Sequence, residues 1–152
     1  MYKHILVPLD GSDLAEVVLP HVEAAAKAYK AETVTFVRVP ETVNITSSGM
    51  IPANKWDKDE RDKQLVAESY LQIATSQLNY GETVIKREVL QSDGAAETIV
   101  EYAAENHIDL IIIATHGRTG IVRVVWGSVA EKILKTSCVP VLMVRVPGCI
   151  IT

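Results

Sequence analysis

The chain has 152 residues, 48% of them hydrophobic and 22% charged, with a formal net charge of −4. That length suits a single domain, spanning 1–152, with a core of its own, and the composition is that of a folded globular protein. The acidic total argues against a nucleic-acid partner, no apolar run approaches the length of a membrane span, and the N-terminal MYKHILVPLD lacks the uninterrupted apolar stretch of a secretion signal.

HILVPLD (4–10) is a β-branched run that predicts the first strand. Residues 12–31 follow with Leu14, Val18, Val22, Ala25 and Tyr29 on one helical face, and Pro20 inside that span predicts a kink. TVTFVRV (33–39) predicts the second strand. Residues 40–57, PETVNITSSGMIPANKWD, have no period, and a connection of that length is either a functional lid or a disordered segment. It leaves from the carboxyl end of the second strand, the sheet edge at which ligands bind in open α/β folds.

A helix is expected over 58–79, its rows marked by Val66, Tyr70, Ile73 and Gln77 or by Leu71, Ala74 and Leu78. TVIKREVL (83–90) predicts the third strand, and Asp93 the N-cap of a helix over 94–106, which carries Ala96, Ile99, Val100 and Ala103 at i, i+3, i+4 and i+7. DLIIIAT (109–115) is apolar as a strand covered on both faces must be. A helix over about 128–136 and the strand VPVLMVRV (139–146) complete the pattern. Cys138 and Cys149 have neither metal-ligand nor C-x-x-C spacing and read as reduced thiols, which predicts a cytoplasmic address. Five strands alternating with four helices predict a doubly wound parallel sheet with helices on both faces.

The connection between the fourth strand and the last helix holds the chemistry. The stretch ATHGRTGIVRVVWGSVAE (114–131) carries three glycines, two arginines and one histidine, and no carboxylate occurs between Asp109 and Glu131. It is not a Walker loop, since the chain has no Gly-Lys dipeptide, and the first strand ends in Asp10-Gly11-Ser12-Asp13 without the three glycines of a dinucleotide fingerprint. Nor is there a G-x-S-x-G elbow or an H-E-x-x-H pair.

Each feature of the stretch has two readings. Gly117 and Gly120 suit either a tight turn or close approach to a ligand, and Arg118 and Arg123 either solvent or phosphate oxygens. Gly127-Ser128 opens a helix whose N–H groups attract anions, whereas Ser128 with Glu131 also spells a capping box. Converging at one strand end, these features favour an oxyanion. Asp10 is a second pole: in a 3-2-1-4-5 sheet the first and fourth strands are neighbours, which sets this carboxylate near Gly117. There it suits either a nucleoside or an Asx turn of its own.

The segments ILVPLDGSDLAE (5–16), 114–131 and CVPVLMVR (138–145) resemble the signature blocks of the universal stress protein family across essentially the whole chain. The family's ATP-binding branch carries G-x2-G-x9-G-[ST], matched here by Gly117, nine intervening residues and Gly127-Ser128, with Ala114 in place of the first glycine. The resemblance implies a five-stranded 3-2-1-4-5 sheet of the Rossmann-like, adenine nucleotide α-hydrolase-like kind. It implies ATP, with adenosine near Pro8, Leu9, Asp10 and Val39 and phosphates near His116, Gly117, Gly127, Ser128 and Val129. Ala114 and Arg118 belong to the same expected site, and Mg²⁺ would arrive through the phosphates. It also implies a homodimer, for which the hydrophobic edge of the last strand (139–146) offers independent support.

Three functions follow as expectations. One is a nucleotide-dependent regulatory dimer acting on a further protein partner in a stress response. Another is a slow ATPase, with His116 the available base in the turn. The third is a dimeric interaction protein without nucleotide.

Overall fold

The computed structural model describes residues 1–40, 53–115 and 127–145, with backbone alone for 53–57. Its elements in chain order are β1 (His4–Pro8), α1 (Asp13–Glu16), α2 (Leu19–Tyr29), β2 (Thr33–Arg38), α3 (Ala53–Thr75), β3 (Val84–Val89), α4 (Ala95–Glu105), β4 (Leu110–Ala114), α5 (Ser128–Thr136) and β5 (Val141–Val144). All pairings are parallel and the order is β3-β2-β1-β4-β5, as expected.

Strand side chains alternate between two faces, and each face has its own core. Ile5, Val7, Val34, Phe36 and Ile112 pack with Val18 and Val22 of the α1–α2 segment and with Leu71 of α3. Leu6, Val37, Ile111 and Ile113 pack on the other face with Ala96, Ile99 and Ala103 of α4 and Ala130 and Ile133 of α5. Burial on both faces is why β4 reads Leu-Ile-Ile-Ile-Ala without a polar interruption.

Three local expectations are corrected. The first helix is not kinked at Pro20 but divided before it. Ser12 caps the short α1, a turn follows at residues 17–18, and Pro20 stands in the first turn of α2, where no intrahelical N–H is required. Helix α3 starts at Ala53, five residues inside the stretch read as loop, and ends at Thr75. Residues 58–66 are all exposed, so the helical period generated by a buried face begins only at Ala67. The buried row is Ala67, Leu71 and Thr75, while Val66 and Ile73 of the alternative row are 62% and 70% exposed. Helix α4 is capped by Gly94 rather than Asp93; the Ser92 hydroxyl accepts the Gly94 N–H and Thr98 returns a bond to the Gly94 carbonyl. The rest of the expected loop, 41–52, lies outside the described residues. Among the described residues no helix is long and apolar enough to cross a membrane, and no group of potential ligands could hold a metal ion.

Two tyrosines lock the α2–α3 side of the sheet. The hydroxyls of Tyr70 and Tyr80 are buried and form no hydrogen bond among the described residues. Burial first, then the nearby carboxylates (Glu16 and Asp10 for Tyr70, Glu23 for Tyr80), hold both phenols well above the ordinary value of 10.0. A phenol whose pKa is raised by folding contributes stability that is fully present below about pH 10 and is lost as pH climbs through the folded value. Titration followed at 295 nm should therefore show two of the five tyrosines ionising only together with loss of the near-ultraviolet dichroism. Ionisation of all five near pH 10 with tertiary structure intact would contradict this packing.

Candidate functional site

The central pairing of the sheet is incomplete at its carboxyl end. The β1–β4 ladder has two register pairs, Ile5 with Leu110 and Leu6 with Ile111. The flanking ladders continue further, to Pro8–Val37 and to Ala114–Val144. N–H groups alternate sides along a strand, and Leu9 donates to the Val37 carbonyl on β2. The even positions of β1 therefore face β4, and the next donor after Leu6 is Pro8, which has no N–H. At the amino end the same two strands are clamped: the Asp109 carboxylate accepts the N–H groups of Lys3 at 2.8 Å and His4 at 3.2 Å, and its own N–H donates to the His4 carbonyl. Closed at one end and unbridged at the other, the β1–β4 junction is the topological switch point at which open α/β sheets take their ligands.

Pro8, Leu9, Asp10 and Val39 come together on one side of this junction, at the carboxyl ends of β1 and β2. The Leu9 side chain is buried in the core and Val39 packs on the α4–α5 side, so it is their main chains that remain at the strand ends. Both the N–H and the hydroxyl of Ser12 donate to Asp10 Oδ1, at 2.9 and 2.6 Å, and the Ser12 hydroxyl accepts from Ala15 N at 3.2 Å. The Asx-turn reading of Asp10 is thus realised, and the turn fixes the carboxylate at the strand end.

Ala114, Gly127, Ser128 and Val129 form the other side. The Gly127 N–H donates to the Thr115 carbonyl, which holds the start of α5 against the end of β4. Gly127, not Ser128, is the N-cap, and it has no side-chain cap. The capping-box reading of Ser128 is therefore corrected: a capping hydroxyl must stand at the N-cap itself, and Ser128 is one residue too late, exposed and without a hydrogen bond among the described residues. The first intrahelical bond is from Glu131 N to the Gly127 carbonyl, so the N–H groups of Ser128, Val129 and Ala130 precede the ladder. Ala114 is 5% exposed, its methyl absorbed in the core beside Val144. His116, Gly117 and Arg118 lie outside the described residues, as do Gly120 and Arg123.

Arg38 was not among the expected site residues. Its guanidinium lies 4.9 Å from the centre of the Tyr70 ring and beside Gly11, so that a Cβ at Gly11 would meet Nη2 at 2.8 Å, Cζ at 3.0 Å and Nη1 at 3.3 Å. Gly11, with φ of +88°, also needs the left-handed backbone region that glycine adopts without cost.

A family model described as the universal stress protein family matches residues 1–145. The universal stress protein MJ0531 of Methanocaldococcus jannaschii is 33% identical over 150 residues, covering 97% of this chain and 84% of that protein. The solved structure of MJ0577 from the same organism has a TM-score of 0.82 at 31% identity, covering 97% of this chain and 99% of its own. A universal stress protein family member from Arabidopsis thaliana, solved with AMP bound, has the same fold at a TM-score of 0.61 and 13% identity, covering 96% of this chain and 93% of its own.

The two serines at the site should separate in a denaturation experiment. Ser12→Ala removes a helix cap and one hydroxyl donor to Asp10, and should cost about 1 kcal/mol. Ser128→Ala should stay within about 0.5 kcal/mol of the parent, as a substitution at an exposed side chain without partners does. A comparable loss in Ser128→Ala would restore its capping role.

Proposed function

The chain belongs to the universal stress protein family, and from that premise we propose that it is an adenine-nucleotide-binding regulatory protein of the family's ATP-binding branch, working as a homodimer. The observation that carries this reading is the pairing of an unbridged β1–β4 junction with the unspent amides of α5 at the same sheet edge. Three N–H groups and the positive end of the helix dipole suit phosphate oxygens. The exposed Ser128 hydroxyl, released from capping, adds a fourth donor. Asp10 at the opposite wall suits the amine or hydroxyl donors of adenosine, with Pro8, Leu9 and Val39 bordering it. The AMP bound by the Arabidopsis relative supports the choice of an adenine nucleotide. ATP is the form favoured by the Gly117-x9-Gly127-Ser128 spacing, with Mg²⁺ entering on its phosphates and His116, Gly117 and Arg118 completing the phosphate side.

The homodimer rests on the contrast between the two sheet edges. The outer strand β3 carries Lys86, Arg87 and Glu88 in succession, charges that discourage pairing with another strand. The opposite edge, β5, is Val-Leu-Met-Val, uncharged, with Leu142 43% exposed. A second copy meeting this edge covers both its apolar side chains and its unpaired main chain. On this reading nucleotide occupancy sets the surface offered to a further protein partner, and hydrolysis is incidental.

Thermal melting with and without saturating Mg·ATP tests the site. Ligand at a hundred times its dissociation constant stabilises by about 2.7 kcal/mol, a rise on the order of 5–11 °C for a domain of this size. Gly127→Glu should abolish that shift while leaving the unliganded protein folded, because φ of −67° at Gly127 suits any residue and an acid at a helix N-terminus is favourable. An undiminished shift in this variant would move the phosphates elsewhere. No shift in the parent protein would leave the dimeric interaction protein without nucleotide. Separately, Leu142→Lys should convert the dimer to monomer in sedimentation experiments, and a dimer that survives it would place the interface on another face.

A further inference from the structure

We propose that Arg38 is a positioning residue for the nucleoside half of the site, acting through the Asp10–Ser12 turn; this rests on the nucleotide reading above. Arg38 is the last residue of β2, one strand over from Asp10, and its main chain is fixed by the bond from Leu90 N to its carbonyl at 2.9 Å. Its guanidinium lies 4.9 Å from the centre of the Tyr70 ring of α3 and fills the space that a side chain at Gly11 would take. The aromatic ring contributes to its placement.

The consequence falls on Asp10. Gly11 lies inside the turn closed by the two Ser12 bonds to Asp10 Oδ1, so a guanidinium packed beside Gly11 restrains the backbone that aims the carboxylate. Tyr70 in turn is anchored by its own burial, and α3 therefore supports the turn through two side chains. Arginine suits this task because it is planar and always charged, whereas a lysine ammonium on the same stem cannot cover Gly11. The α5 half of the site owes nothing to these contacts, since it is held by the bond from Gly127 to Thr115.

That division supplies the test, read with two ligands: adenosine for the Asp10 side and inorganic tripolyphosphate for the α5 side. Arg38→Met should weaken adenosine roughly tenfold while tripolyphosphate binds within about twofold of the parent. Arg38→Lys should fall between the two, and should serve where the methionine variant folds poorly. Tyr70→Leu should repeat the adenosine defect, and Tyr70→Phe, which keeps the ring, should restore the affinity. In the unliganded protein, hydrogen exchange at the Ser12 amide should accelerate in Arg38→Met. Adenosine binding unchanged in Arg38→Met, or an equal loss for both ligands, overturns the positioning role. A parent protein that binds neither ligand overturns the nucleotide reading instead, and the Ser12 exchange rate still decides whether Arg38 restrains the turn.

Discussion

The β1–β4 junction is the constraint from which the rest of the structure follows. It joins segments more than a hundred residues apart, so nothing local secures it, and Asp109 closes it by receiving two main-chain N–H groups from Lys3 and His4. A half-buried carboxylate with such partners is an effective clamp because charge-assisted bonds to backbone amides are stronger than neutral ones. The clamp fixes the register of β1 on β4, and a one-residue slip would turn Ile5 and Val7 out of one core and Leu6 out of the other. At the opposite end Pro8 removes the next rung. The ladder therefore ends at the carboxyl edge where a hydrogen-bond donor is missing.

What stands on either side of that ladder end is electrostatically opposed. One wall ends in the Asp10 carboxylate, held in its turn by Ser12. The other begins with the amides of Ser128, Val129 and Ala130, at the positive end of a helix whose first acidic residue is Glu131. Glu131 is itself engaged with Lys135, and on the same helix Lys132 bridges to Glu97 of α4. These pairs are exposed and contribute little to stability, but they keep acidic side chains of α4 and α5 occupied with lysines. A ligand with phosphate at one end and hydrogen-bond donors at the other matches this polarity.

The sequence was most legible where burial imposes a period. Strand β4 and the bounds of α5 agree with expectation because a continuous apolar run reflects a strand packed on both faces and a helical pattern a helix packed on one, whereas the sheet order is what the family resemblance implied. It misled where a helix has no buried face, as over residues 58–66 of α3, and where a helix-breaking residue has a second use, as Pro20 has in a first turn. Ser128 shows a finer limit: the capping-box spelling is correct, but the box works only if Ser128 is the N-cap, and a one-residue offset transfers that place to Gly127. Arg38 left no signal. Its packing joins residues 27 apart to Gly11 and 32 apart to Tyr70, and contacts of that kind have no local pattern.

Ala114 bears on how far the family's glycine pattern must be kept for the site to be built. A glycine there would carry no side chain into the core, whereas the alanine methyl is buried beside Val144, with Ile112 on the same face of β4. Alternation along the strand directs the methyl to the α1–α2 side, not along the ladder direction between β1 and β4. The substitution therefore adds packing at the end of β4 and leaves the unbridged main chain between Pro8 and Ala114 as it would be with glycine. Gly11 is the contrasting case: its φ is positive, so any other residue would strain the turn that carries Asp10, and its Cβ would also require the Arg38 guanidinium to move. Of these two positions, the one outside the recognised spacing is the one whose glycine the geometry requires.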